Sequence, residues 1–290
     1  MRSMNMKSKQ PDVLYHYTSH DILFNIVDTK SLIASHIYYL NDYHEIKYGM
    51  SHFVELLEKM KKQQAYRRCV YLFEYIQHWL EAMQADPPYI FSFSLSEKGN
   101  LLSQWRAYTP YGIGVSLGFK VADLECYAKA NQLLLVKCIY KKDKQIEILK
   151  ALFPKLLNLF DENKRDLTQA SLRKPTSPRA LHQIKNLLIN TFIQIKDPLF
   201  YEECEWRIVS RLYEDYLSED IKFRSSKTTL IPYILLDIAS MRHDGQLFEH
   251  VYVGPSPNFD LLYPAIVAFL QNKKACNANI TKSVVPYREI

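Results

Sequence analysis

Tyr201-Glu202-Glu203-Cys204-Glu205-Trp206-Arg207-Ile208-Val209 is the stretch whose reading decides the fold. Successive side chains on a strand point to opposite faces. Cys204, Trp206 and Ile208 then turn into a core, while Glu203, Glu205 and Arg207 line the opposite, accessible face. The surrounding chain continues in kind. Strands are expected near Cys204–Leu212, Ile221–Arg224, Phe248–Val253 and Ile280–Val284, and earlier at Val13–Thr18, Tyr89–Ser94 and Ile113–Phe119. Ser19 caps a helix that presents Ile22, Leu23 and Ile26. Two helices are expected over residues 51–84, closed by Asp86-Pro87-Pro88. Leu149, Leu152, Phe153, Leu156, Leu157 and Phe160 make one apolar helical stripe, and further helices are expected near 181–196 and around Leu262–Leu270. Helices and strands alternate irregularly, with hairpin-like strand clusters late in the chain, so the expected class is α+β rather than a doubly wound parallel sheet. The polar, basic stretch 163–180, with Pro175 and Pro178, reads as a loop or insertion.

Composition narrows the function. The chain has 290 residues, 48% hydrophobic and 13% aromatic, which is ample for a core and too rich for disorder. Only 7 glycines argue against a glycine-rich phosphate loop, whereas 21 tyrosines must sit half-buried with hydroxyls near water or a partner. A net charge of +6 favours an acidic partner or anionic cofactor without requiring nucleic acid. The 5 cysteines are widely spaced with no C-x-x-C pair, which fits reduced thiols and leaves zinc ribbons unsupported. Residues 1–12 hold no apolar stretch, and no run approaches a membrane span. The expected place is a cytoplasm, or a target-cell cytosol reached by export without a classical signal peptide.

Two carboxylates two residues apart on a strand lie about 7 Å from each other, a separation that can bracket a reacting centre. The alternative is an exposed strand on which Glu205 and Arg207 simply pair. Four further segments bear on the choice. In Leu14-Tyr15-His16-Tyr17-Thr18-Ser19, His16 can donate to a ribose or phosphate oxygen and a tyrosine ring can stack on a heterocycle, or His16 is structural. Phe91-Ser92-Phe93-Ser94 can floor a cofactor pocket or be an ordinary half-buried strand. In Gln104-Trp105-Arg106-Ala107-Tyr108, Arg106 can pair with a pyrophosphate or with an acid such as Glu45. Asn41-Asp42-Tyr43-His44-Glu45 reads as a helix cap or as part of a site.

Taken together, these segments resemble a family of bacterial and phage proteins catalogued as a domain of unknown function. The residues that carry the resemblance are Tyr15–Ser19, Asn41–Glu45, Ser92–Ser94, Trp105–Tyr108, Gly114–Phe119, Glu205–Arg207 and Val253–Pro255. That family is similar to atypical ADP-ribosyltransferases, which place a split, mostly antiparallel sheet around an NAD cleft. The resemblance implies one such domain over residues 1–290, with a helical insertion at roughly 141–196. It implies His16, Tyr17, Thr18, Ser92, Ser94, Trp105 and Arg106 as NAD contacts. It implies Glu205 as the catalytic carboxylate, with Glu203 completing the E-x-E of arginine-modifying members. NAD would be a co-substrate and no metal is expected. The acceptor would be a protein arginine first and a nucleobase second, as for a bacterial effector or toxin.

The rivals are a nucleic-acid-binding or nucleic-acid-modifying protein, drawing on Arg67, Arg68, Arg165, Arg173 and Lys174, and a non-catalytic interaction module. A dehydrogenase is disfavoured, because Gly112, Gly114 and Gly118 fall where a strand runs rather than at a strand-to-helix turn. No P-loop, G-x-S-x-G or H-E-x-x-H occurs.

Overall fold

The structure, a computed structural model, describes residues 10–40, 44–83, 85, 87–173, 179–213, 215–242, 244–277 and 279–285. The chain runs β1 (Val13–Thr18), α1 (His20–Thr29), β2 (Ser31–His36), α2 (His44–Lys61), α3 (Val70–Ala82) and β3 (Phe91–Ser96). It continues through α4 (Leu102–Tyr108), β4 (Val115–Lys120), α5 (Val121–Ala130), β5 (Leu134–Lys137), α6 (Lys142–Lys150), α7 (Leu152–Glu162) and α8 (Arg179–Phe192). The last part is β6 (Glu205–Val209), β7 (Lys222–Ser225), β8 (Leu230–Asp237), β9 (His250–Val253), α9 (Phe259–Asn272) and β10 (Ile280–Lys282). The fold is mixed α+β around a mostly antiparallel open sheet of ten strands, in which only β9 and β10 pair in parallel among the described residues.

Local chemistry accounts for the boundaries. The Ser19 hydroxyl accepts from the Ile22 amide at 3.3 Å and opens α1, and Lys30 in the left-handed region (φ 52) closes it and turns the chain into β2. The stripe expected as one helix over 149–160 is split at Ala151 into α6 and α7. Its apolar residues still meet one core, because Leu149 in the last turn of α6 and Leu152, Phe153, Leu156 and Phe160 from α7 face the same way.

Two cores flank the sheet. Alternate residues of β1, β2, β3, β4, β6, β8 and β9 pack with α1, α5 and α9 on one side. Helices α2, α3, α6, α7 and α8 gather on the other, where Phe53 stacks on Phe153 at 5.3 Å. The segment read as a helical insertion therefore shares its core with α2 and α3. The sheet is split at β3. One edge of β3 pairs with β6 from Ser92↔Val209 to Ser96↔Glu205. Its other edge is shared by two strands, β1 at Tyr15↔Ser96 and β2 at Ser35↔Ser92. Between those contacts β1 and β2 diverge, and a cavity of about 640 Å³ opens there.

Candidate active site

The alternation read from the sequence holds along β6. Trp206 and Ile208 enter the first core, and Glu205 and Arg207 take the other face. That face is not open, however. Glu205 is 6% exposed and Arg207 3%, because the helical layer covers them. Glu203 also departs from its expected place. It ends a 3-10 turn over Pro198–Glu203, and Cys204, in the left-handed region at φ 45, kinks the chain before β6 begins. The two carboxylates meet even so, through a residue that the sequence did not single out. The Lys196 ammonium donates to Glu205 Oε2 at 2.8 Å and also to Glu203 Oε2. Arg207 grips Glu205 with two bonds, Nε to Oε1 at 2.9 Å and Nη2 to Oε2 at 2.7 Å. Its Nη1 donates to the Ile193 carbonyl at 3.0 Å, anchoring the guanidinium to the end of α8.

Burial pushes the Glu205 carboxyl up, but the Arg207 guanidinium and then the Lys196 ammonium outweigh it and hold the group well below the usual carboxylate range. Glu205 is therefore ionised at neutral pH. Its Oε2 accepts from Arg207, Lys196 and the Cys138 thiol, whereas among the described residues Oε1 accepts from Arg207 alone and keeps a lone pair to spare. The Glu205 amide donates to the Tyr140 hydroxyl at 2.9 Å, which fixes the start of the strand. Glu203 is less confined, with a side chain 16% exposed and Oε1 receiving the Tyr108 hydroxyl at 3.3 Å.

On β3, Ser92, Ser94 and Ser96 lie directly across from Val209, Arg207 and Glu205, so hydroxyls and charges share one polar face. His16 fills the split itself. Its Nδ1 donates to the Ser94 carbonyl at 3.1 Å, on a stretch of β3 edge that neither β1 nor β2 pairs. That bond leaves Nε2 as an acceptor. Burial lowers His16 to about 4, against a smaller upward pull from the Ser94 carbonyl, so the ring is neutral at pH 7.

The structure thus gathers Glu203, Glu205, His16, Tyr17, Thr18, Ser92 and Ser94 around one cavity, together with Lys196, Arg207, Tyr108 and Arg224. Tyr17 contributes its ring, while its hydroxyl is spent on the loop before α4, donating to the Lys98 carbonyl at 2.6 Å and accepting from the Leu101 amide at 2.9 Å. Trp105 and Arg106 are not in the lining. Trp105 is fully buried, edge-on to Tyr17 at 4.8 Å with its Nε1 on Asn100 Oδ1, and Arg106 is exposed on α4. Asn41, Asp42 and Tyr43 and the side chains of His44 and Glu45 lie outside the described residues, as do Lys174 and the Arg173 side chain. Arg68, cited for a nucleic-acid surface, is matched by Asp161 at 2.6 Å. Among the described residues no group of His, Cys, Asp and Glu could hold a metal ion, and no helix is long and apolar enough to cross a membrane.

The segment that supplies α4, β4, α5, β5, α6, α7, α8 and most of β6 has a counterpart among protein families. A domain described as a protein of unknown function, DUF2971, spans residues 104–208. The Trp105–Tyr108, Gly114–Phe119 and Glu205–Arg207 segments fall inside it, together with Lys196 and Glu203. Most of the cavity wall does not: α1, β1, β2, β3, β7 and β8 lie outside the matched stretch. No curated protein and no solved structure matches the chain.

Proposed function

We propose that the cavity binds NAD as a co-substrate and that the protein is a mono-ADP-ribosyltransferase, with a protein arginine as the first-choice acceptor. One observation carries the reading: two carboxylates, Glu203 and Glu205, share one buried ammonium at the wall of a cavity large enough for a dinucleotide. Breaking the bond between ribose C1 and the nicotinamide nitrogen sends the bonding electrons to nicotinamide, which leaves neutral, and builds positive charge on the sugar. An ionised carboxylate in a low-dielectric wall opposes that charge without having to reorganise. Glu205 has the required charge, and its spare Oε1 lone pair can accept a ribose hydroxyl. Arg207 and Lys196 hold that carboxylate in place, a positioning role.

Glu203 is the better candidate for the acceptor side. It is more exposed than Glu205 and holds Lys196 and Tyr108 by one bond each. As a protonated guanidinium attacks C1, the proton it gives up passes to the Glu203 carboxylate. The test is release of nicotinamide and transfer of labelled ADP-ribose by the native chain beside Glu205→Gln and Glu203→Gln. Gln keeps the side-chain volume that the buried cluster needs. Loss of both activities in Glu205→Gln, with NAD hydrolysis surviving in Glu203→Gln, supports the division of roles. A native chain that neither binds NAD nor releases nicotinamide overturns the reading.

A further inference from the structure

The far end of the cavity holds polar groups that the proposed chemistry does not use. Cross-strand partners place Ser92, Ser35, Tyr233 and Lys222 in one row across β3, β2, β8 and β7, on a single face of the sheet. Arg224, two residues along β7, shares that face, and its Nη2 reaches back over β8 to Ser35 Oγ at 3.4 Å. No carboxylate pairs with Arg224 among the described residues. Every other cation at the cavity wall is matched, Arg207 and Lys196 by Glu205 and Glu203. Beside it, Ser92 is 2% exposed and its hydroxyl has no partner among the described residues. An unmatched guanidinium and an unsatisfied buried hydroxyl, facing one cavity, ask for an acceptor-rich anion.

The spacing indicates what kind of ligand carries that anion. Glu205 pairs with Ser96 and Ser35 with Ser92, so four residues of rise and two strand spacings separate them. In a flat sheet that is about 16 Å between Cα atoms. A nucleoside is too short to touch both ends, whereas a ligand with phosphates between two nucleoside units spans them. The exposed apolar side chains of Ile33 and Leu235, both 42% exposed, line the same end and offer a surface for a flat ring.

We propose that Arg224, with Ser35 and Ser92, forms an anion subsite that takes a phosphoryl group of a dinucleotide whose other end lies at Glu205. This rests on the cavity being a nucleotide site, and the closing experiment separates the two. Calorimetry on the full chain would use ADP-ribose, inorganic pyrophosphate and adenosine as probes, with Arg224→Ala, Arg224→Lys and Ser92→Ala beside the native protein. Arg224 sits exposed on a short outer strand, and Ser92→Ala removes a hydroxyl that bonds nothing among the described residues, so both variants retain the fold; their melting curves check it. ADP-ribose binding should weaken ten- to hundredfold in Arg224→Ala and by a smaller factor in Ser92→Ala, with partial recovery in Arg224→Lys. Adenosine binding should be unchanged throughout.

Equal affinity of native and Arg224→Ala protein for ADP-ribose overturns the subsite and leaves the transferase reading standing. Failure of the native chain to bind either ADP-ribose or pyrophosphate also overturns it. Arg224-dependent binding of ADP-ribose with no release of nicotinamide from NAD sustains the subsite and removes the cleavage chemistry instead.

Discussion

Replacing Glu205 should cost stability before it costs chemistry, and the amount follows from its partners. Lys196 and Arg207 are 2% and 3% exposed, and Glu205 is held by both. Glu205→Ala removes the carboxylate that both buried cations share. Removing one member of a buried ion network costs about 3–5 kcal/mol, a large part of the roughly 5–15 kcal/mol by which a domain is stable. At about 2–3 °C per kcal/mol for a chain of this size, the melting temperature should fall by roughly 6–15 °C. Glu205→Gln keeps an acceptor for Arg207 and should fall about half as far. Pairing Glu205→Gln with Lys196→Met, which fills the stem of the lysine and removes its charge, should recover part of the loss. The double-mutant cycle should therefore show a coupling above about 1 kcal/mol. The pH dependence has a definite sign. The folded Glu205 pKa is depressed below its unfolded value of about 4.3. Its contribution is thus complete above about pH 5 and is lost as pH falls through the folded value. Glu205→Gln should accordingly narrow the gap to the native protein on acidification from pH 5 to pH 3. Scanning calorimetry across that range is the assay. A drop under about 1 °C for Glu205→Ala, or strict additivity in the cycle, would refute the buried network as the element that holds β6 to the helical layer.

Two further outcomes follow from single residues. The ring of His16, lowered to about 4 by burial, should titrate in nuclear magnetic resonance with a midpoint below pH 5, and His16→Gln should remove that resonance while keeping a donor for the Ser94 carbonyl; a midpoint near 6.5 would place the ring in water. Cys204, at φ 45 and ψ 48, occupies a conformation that glycine adopts freely, so Cys204→Gly should stabilise the chain by about 0.5–1 kcal/mol in urea unfolding, and a loss of stability would show that the side chain rather than the backbone sets the kink.

Much of this architecture can be read directly from residues. The alternation at Val13–Thr18 marks β1, Ser19 marks the start of α1, and the Trp206/Ile208 and Glu205/Arg207 alternation assigns the two faces of β6 correctly. The sheet edges are harder. Ser31–His36 and Leu230–Asp237 pair with each other and build one wall of the cavity, but β2 follows α1 with only Lys30 between them, and the Pro232 in β8 argues locally against a strand. Burial of the charges was equally unreadable. Whether Glu205 faces water or a covering layer depends on Cys138, Tyr140, Ile193 and Lys196, none of which lies on β6. Lys196 carries no local sign of its role, since nothing in Gln194-Ile195-Lys196-Asp197 distinguishes a buried ammonium from a solvated one. Glu203 and Glu205 alternate as an E-x-E on one strand would, but Glu203 ends a 3-10 turn and lies off β6. A left-handed residue between the two carboxylates breaks the period and still lets them converge. Arg224 lies on a strand the sequence does suggest, but only the β2–β8–β7 pairing brings it to Ser35.

The split at β3 has a consequence for how this protein can be cut or combined. The stretch 104–208 contains β4, β5 and most of β6, yet among the described residues β4 pairs with β1 and β9, and β6 leans on β3. Excised, that stretch would carry two separate pieces of sheet with no strand joining them. Trp206, Ile208, Leu117 and Phe119 would lose the part of their core that α1, α9 and the other strands supply, and Glu205 would lose its facing serines. The portion most easily matched between chains is therefore not a portion that can stand or be transplanted alone. Any graft that aims to move the cavity into another protein must carry the flanking strands with it, from Val13 to Ser96 and from Lys222 to Val253.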